Sequence, residues 1–254
     1  MQGSCNSSSK SPEDLIFARR ETYHGLFSSS SQETQLAARD ALLVISNTNT
    51  ENRETLRTVI LSRLEFPTEA FIEFAAKAIQ EWIGPDLATL EDFPTFFTLL
   101  EHSDRRVQNA SLSSLKTRLT NASYQDSFQK ANIIFILRSL SNSDNPEALS
   151  FVAVALRTLA LSLARNGHVS KLIDFLVHKE PKVREGAAAA LETVSAASTR
   201  DRKLLLEEDI VERLIGHDRP LEQTQIDLLT SIIPPLALDY LEAGKAEFLF
   251  KLVE

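Results

Sequence analysis

The sequence predicts an all-α chain of about six helix pairs followed by a last helix, and three observations carry that prediction. Ala, Leu, Glu, Arg and Gln are abundant, while 254 residues hold only seven Gly and nine Pro, a balance that favours helix. No sustained alternation of apolar and polar residues bounded by turn dipeptides marks a strand. Apolar stripes at helical spacing also recur along the chain in steps of 35–41 residues.

The clearest stripe lies in EPKVREGAAAALETVSAAS, residues 180–198. Pro181 suits a first helical turn, where its missing N–H costs nothing. Val183, Ala187, Ala190, Leu191 and Val194 then line one face. The preceding HVSKLIDFLVHK carries Val169, Leu172, Ile173, Leu176 and Val177 at the same kind of spacing, so a short turn at Lys179-Glu180 joins two antiparallel helices. Four consecutive alanines and Gly186 predict close backbone approach by a neighbouring helix. A glycine inside a helix otherwise costs about 1 kcal/mol.

With Leu191 as an anchor, comparable second helices centre on Leu42, Ile79, Leu115, Leu156 and Leu229. Pro67, Pro146, Pro181 and Pro220 each lie nine to twelve residues before an anchor, where a second helix should begin. Gly25, Gly84, Gly167, Gly216 and Gly244 sit at or just past expected helix ends, where a left-handed cap is common. In chain order the first helices are expected near 12–26, 51–64, 89–102, 127–140, 168–178 and 200–215. The second helices are expected near 31–46, 67–83, 105–120, 146–165, 181–197 and 220–232. Pro234-Pro235 is read as a break before a last helix near 235–253.

The motif EPKVREGAAAAL resembles the turn and second helix of a HEAT repeat, with a Pro or Asp turn, then Val-Arg, then Ala and Leu at fixed offsets. SDRRVQNASLSSL (103–115) is a weaker copy with Gln108 where arginine is usual, and NPEALSFVAVAL (145–156) keeps the proline and the Ala-Leu. The resemblance to HEAT and armadillo-type repeats covers residues 12–254 as a single repeat domain, behind a Ser-rich disordered tail at 1–11. It implies a right-handed superhelical solenoid that offers one long surface to a partner.

Function narrows by the same route. The expected row opposite the apolar stripe on the second helices includes Glu73, Gln80, Asn109, Lys116, Ser150, Arg157, Glu185, Glu192, Gln223 and Thr230. Its charges are mixed, and the solenoid that the resemblance implies makes a non-enzymatic scaffold or adaptor, binding a protein partner of unknown identity along this row, the expected function. A second reading, a tubulin-binding domain of the TOG type, would use the turns instead, through Arg105, Arg106, Lys179, Lys182 and Arg184. The simpler reading of Arg184 is a repeat-consensus residue serving its own turn. An enzymatic alternative, a HEAT-like DNA glycosylase, needs a basic aromatic groove and a buried carboxylate. The net charge of −8 and the single Trp82 oppose it, and argue against a nucleic-acid partner in general.

No cofactor or metal is expected. The five histidines lack metal-ligand spacing, and His102 and His178 end corresponding first helices, where a cation complements the helix dipole. Cys5 stands alone in the tail, and Glu207-Glu208-Asp209 reads as a solvated turn. The polar start carries no apolar leader and no stretch is long enough to span a bilayer, so a cytoplasmic or nuclear location is expected, with no membrane contact. AEFLFKLVE clusters Leu249, Phe250, Leu252 and Val253. The expectations there are folding back, self-association or continuation into a longer array.

Overall fold

The computed structural model describes residues 25, 27–46, 53, 56–58, 60, 68–84, 92–215 and 221–245, with the side chains of 92–95, 122, 126 and 129 excepted. The tail at 1–11, the first helix at 12–26 apart from Gly25, most of 51–64, Pro67, Gly216, Pro220 and the segment AEFLFKLVE lie outside them. Every regular element among the described residues is helical. The chain divides into two compact units, one made of residues 1–88 and 101–111, the other of 89–100 and 112–254.

Unit 1 holds α1 (Gln32–Ser46) and α2 (Glu69–Ala78), which pack on each other. The last turn of α2 widens into a π-helical stretch, Ile79–Ile83. Phe27, Phe71 and Phe74 form an aromatic cluster with ring centroids 5.0–6.4 Å apart. Leu42 and Ile79, the expected anchors, are buried, and so is Trp82. Trp82 is therefore a core residue. The helix α4 (Arg105–Leu119) contributes its first half to unit 1 and its second half to unit 2.

Unit 2 is an all-α solenoid. Besides α3 (Asp92–Leu100) it contains α5 (Ala122–Lys130), α6 (Ile133–Ser141), α7 (Pro146–Thr158), α8 (Ala160–Arg165), α9 (Val169–Phe175), α10 (Pro181–Ala197), α11 (Thr199–Glu207), α12 (Ile210–Ile215) and α13 (Gln223–Glu242). These fall into three consecutive triplets: α5–α7, α8–α10 and α11–α13. Their first helices begin 38 and 39 residues apart. The long third helices stack in order, α7 on α10 and α10 on α13, while the short first helices stack α5 on α8 and α8 on α11. Three helices per repeat is the armadillo count, and two is the HEAT count.

This corrects the expected pairs. The single helices placed at 127–140, 146–165 and 200–215 are each interrupted. Asn132 and Asp209 take left-handed backbones (φ 59° and 47°), and Leu159 bends the chain between α7 and α8. Asn and Asp visit that conformation more readily than other non-glycine residues, so neither break needs a glycine. The expected break at Pro234-Pro235 is absent, because α13 runs through both prolines. The carbonyls that lose donors belong to Thr230 and Ser231, both exposed residues where water can take the missing bond. Gly167 and Gly244 adopt the expected left-handed caps (φ 77° and 71°), whereas Gly84 stays right-handed at φ −62° and Gly25 is helical.

The alanine run finds its explanation in α10, whose bounds match the expected 181–197. Val183, Ala187, Ala190, Leu191 and Val194 are completely buried. A β-carbon added at Gly186 would stand 2.6 Å from Ala153 Cα and 2.9 Å from its carbonyl oxygen on α7. Backbone meets backbone there. The small residues let α10 lie between α7 and α13.

Candidate binding surfaces

The turns that lead into the long helices share one device. His102 Nδ1 accepts the Asp104 N–H at 2.9 Å, Ser143 Oγ accepts the Asn145 N–H at 3.1 Å, and His178 Nδ1 accepts the Glu180 N–H at 3.1 Å. All three acceptors lie thirteen residues before an anchor leucine. Six positions further on, Gln108 Nε2 donates to the His102 carbonyl at 2.7 Å. Arg184 Nη1 likewise donates to the carbonyls of His178 and Lys179 at 2.8 and 2.9 Å. Leu149 occupies the matching place in the third turn and has no donor to offer.

A ring nitrogen that accepts a hydrogen bond must be unprotonated. Burial accordingly pushes the His178 imidazole below its ordinary value. Both histidines thus sit at the helix ends where they were expected, and their Nδ1 atoms close the following turns as hydrogen-bond acceptors.

The turn cations divide into two kinds. Arg106 pairs with Asp104 at 2.7 Å and with Glu69, and Arg184 Nε lies 2.8 Å from Glu222. Both guanidinium groups make contacts within the fold, and Arg184 reaches both its own turn and Glu222. Arg105, Lys179 and Lys182 are exposed.

The expected second-helix row falls on α2, α4, α7, α10 and α13. In unit 1, Glu73 is engaged by Arg39 at 2.5 Å, while Gln80 lies exposed in the π-helical stretch and Asn109 exposed on α4. In unit 2, Lys116, Arg157, Glu185, Gln223 and Thr230 are exposed and Ser150 is half-buried. Glu192 accepts a 2.9 Å hydrogen bond from Ser231 Oγ, which makes the row continuous from α10 to α13. Gln223 donates to Asp227 at 2.6 Å along its own helix.

Sequence reasoning missed a second feature, a set of polar clips one repeat long. Arg39–Glu73, Glu69–Arg106, Arg165–Asp201, Asp174–Arg213, Arg184–Glu222, Arg202–Asp239 and Asp209–Lys245 join residues 34–39 positions apart. Asp209 in the acid cluster is therefore an ion-pair residue, and Glu208 pairs with Arg213 at 3.4 Å. Two of the clips hold buried carboxylates. Arg165 grips Asp201 with two bonds of 2.8 and 2.9 Å, and Ser198 Oγ donates a third at 2.6 Å. The guanidinium and then the hydroxyl hold the Asp201 carboxyl down at about 2. Arg202 Nε donates to Asp239 at 2.5 Å. Among the described residues no His, Cys, Asp and Glu cluster could hold a metal ion, and no helix is long and apolar enough to cross a membrane.

No protein-family model matches the chain, and no curated protein matches it in sequence. Solved structures of designed helical-repeat proteins resemble it. A computationally designed armadillo repeat protein for modular peptide recognition is 17% identical, over 84% of this chain and 98% of its own, with a TM-score of 0.49. A designed armadillo repeat protein in complex with the peptide (KR)4 is 15% identical, over 84% and 98%, with a TM-score of 0.47. An engineered protein is 18% identical, over 89% of this chain and 61% of its own, with a TM-score of 0.49. At these values the likenesses carry no argument about what this chain binds.

Proposed function

We propose that the chain is a non-enzymatic scaffold that binds a protein partner along the exposed row of its long helices. One observation carries the reading. In unit 2 the third helices stack repeat upon repeat and leave Arg157 and Glu185 exposed with no ion pair among the described residues, beside the Glu192–Ser231 link. A row of that kind presents side chains of both signs from a rigid support, which favours specificity for one partner over general adhesion.

The alternatives lose support at named residues. A tubulin-binding use of the turns would need free cations there, yet Arg106 and Arg184 are committed to Glu69, Asp104 and Glu222. A glycosylase would need a carboxylate able to act on substrate, whereas Asp201 and Asp239 are buried and each is held by an arginine.

The test is a pull-down from native extract with mass-spectrometric identification, run beside the Lys116→Glu/Arg157→Glu variant. A partner held by the wild type and lost by the variant, with an unchanged circular-dichroism melt, supports the long-helix row. A partner held equally by both moves the site off that row.

A further inference from the structure

A separate groove lies between α6 and α9, in the second-helix layer of unit 2, with a volume of about 500 Å³. Ile134, Phe175 and Val177 give it an apolar lining, and Arg138, Lys171 and Lys179 bring three cations to it. Ile134 and Phe175 are almost fully buried, while Val177 is 37% exposed. Apolar surface left open beside charge is a common feature of recognition sites. Phe135, next to Ile134 on α6, leaves 63% of its surface in solvent.

The charge balance is what selects the occupant. Arg138 and Lys179 are exposed and make no ion pair with a described carboxylate. Lys171 has only a 3.9 Å contact with Asp174, and that carboxylate is already held by Arg213 at 3.0 Å. Asp174 is the groove's one acidic lining residue, and His178 faces the groove as a neutral ring whose Nδ1 is taken by the Glu180 N–H. Three cations thus stand against one satisfied anion, in a chain whose net charge is −8.

We infer that this groove docks an acidic peptide segment of a partner protein, with a bulky apolar side chain of that segment seated on Ile134, Phe175 and Val177. Carboxylates on the segment pair with Arg138, Lys171 and Lys179 at the rim, where such charges mainly steer and orient. The apolar contact supplies the part of the affinity that salt does not screen. A nucleic-acid backbone would satisfy the cations but leave the apolar lining unused. The site shares no residue with the long-helix row, so it stands or falls apart from the reading above.

The probe is a short fluorescein-labelled peptide alternating Glu with Leu and Phe, titrated with the full chain and followed by anisotropy. Saturable binding is expected, weakened at least about tenfold in Arg138→Glu/Lys179→Glu and to a similar degree in Val177→Asp. Binding should also weaken when salt rises from about 50 to about 300 mM, and should disappear for a Glu/Ser peptide lacking the apolar residues. Lys116→Glu/Arg157→Glu should bind like the wild type. The inference is overturned if the folded wild type does not bind. It is overturned equally if variants with unchanged melting curves bind as tightly, or if the Glu/Ser peptide or a polyuridine oligonucleotide binds as well as the probe.

Discussion

The two joints made by α10 solve the same problem in opposite ways. On its α7 side, Gly186 meets the Ala153 backbone so closely that even a methyl group has no room. On its α13 side, polar side chains reach across instead, with Ser231 on Glu192 and Glu222 against Arg184. A backbone contact tolerates no added atoms, whereas a clip of long side chains can adjust its torsions. Stacking in this solenoid therefore depends on volume at one joint and on reach at the other, although both steps span one repeat.

The sharpest way to break that comparison is Gly186→Ala. Helix propensity alone would make the substitution stabilising by up to about 1 kcal/mol. The contact with Ala153 should reverse the sign, leaving a net loss of about 1–3 kcal/mol and a melting temperature lower by several degrees. Ala190→Leu, at a completely buried position of the same helix, should cost about as much by overpacking. A rise in melting temperature for Gly186→Ala would show that the α7 joint yields as readily as the α13 joint, and the distinction would fail.

These volume constraints are what the sequence made legible. The alanine run, the glycine and the proline start foretold α10 to the residue, because small side chains at helical spacing have few other uses. The breaks at Asn132 and Asp209 stayed hidden because neither residue is a glycine or a proline, and the apolar periodicity continues past each. Pro234-Pro235 misled for the converse reason, since exposed carbonyls at Thr230 and Ser231 make two prolines tolerable inside α13. The clips left no trace because polar residues 34–39 positions apart carry no periodic signal that separates partners from bystanders. Of the expected row, Glu73, Glu192 and Gln223 are among those engaged within the fold. The α6–α9 groove escaped notice because its cations come from two helices and the turn after the second, which neither charge count nor motif brings together.

The clips differ among themselves, and acid distinguishes them. Asp201 is buried and its pKa is about 2, well below the roughly 3.9 of a free aspartate. A carboxylate whose folded-state pKa is depressed stabilises the fold above the unfolded value and loses that contribution as pH falls through the folded value. Between about pH 4 and pH 2 the wild type should therefore lose about 1–2 kcal/mol that Asp201→Asn has already forfeited, a figure reduced because Arg165 is half-exposed. Denaturant melts of both proteins across that range should converge as pH falls. A constant gap would mean that Asp201 contributes through shape and hydrogen bonding, independent of its charge.

The smallest effect should come from Ser231→Ala. Ser231 is exposed, its hydroxyl is shared between Glu192 and the Leu228 carbonyl of its own helix, and water can replace either bond. The expected cost is below about 0.5 kcal/mol, since surface substitutions away from special features usually fall in that range. A double-mutant cycle with Glu192→Gln isolates the link itself, and its coupling should be equally small. If the coupling instead approached the Gly186→Ala loss, the α13 joint would depend on that one polar contact as strictly as the α7 joint depends on the missing methyl. Reach would then be no more forgiving than volume.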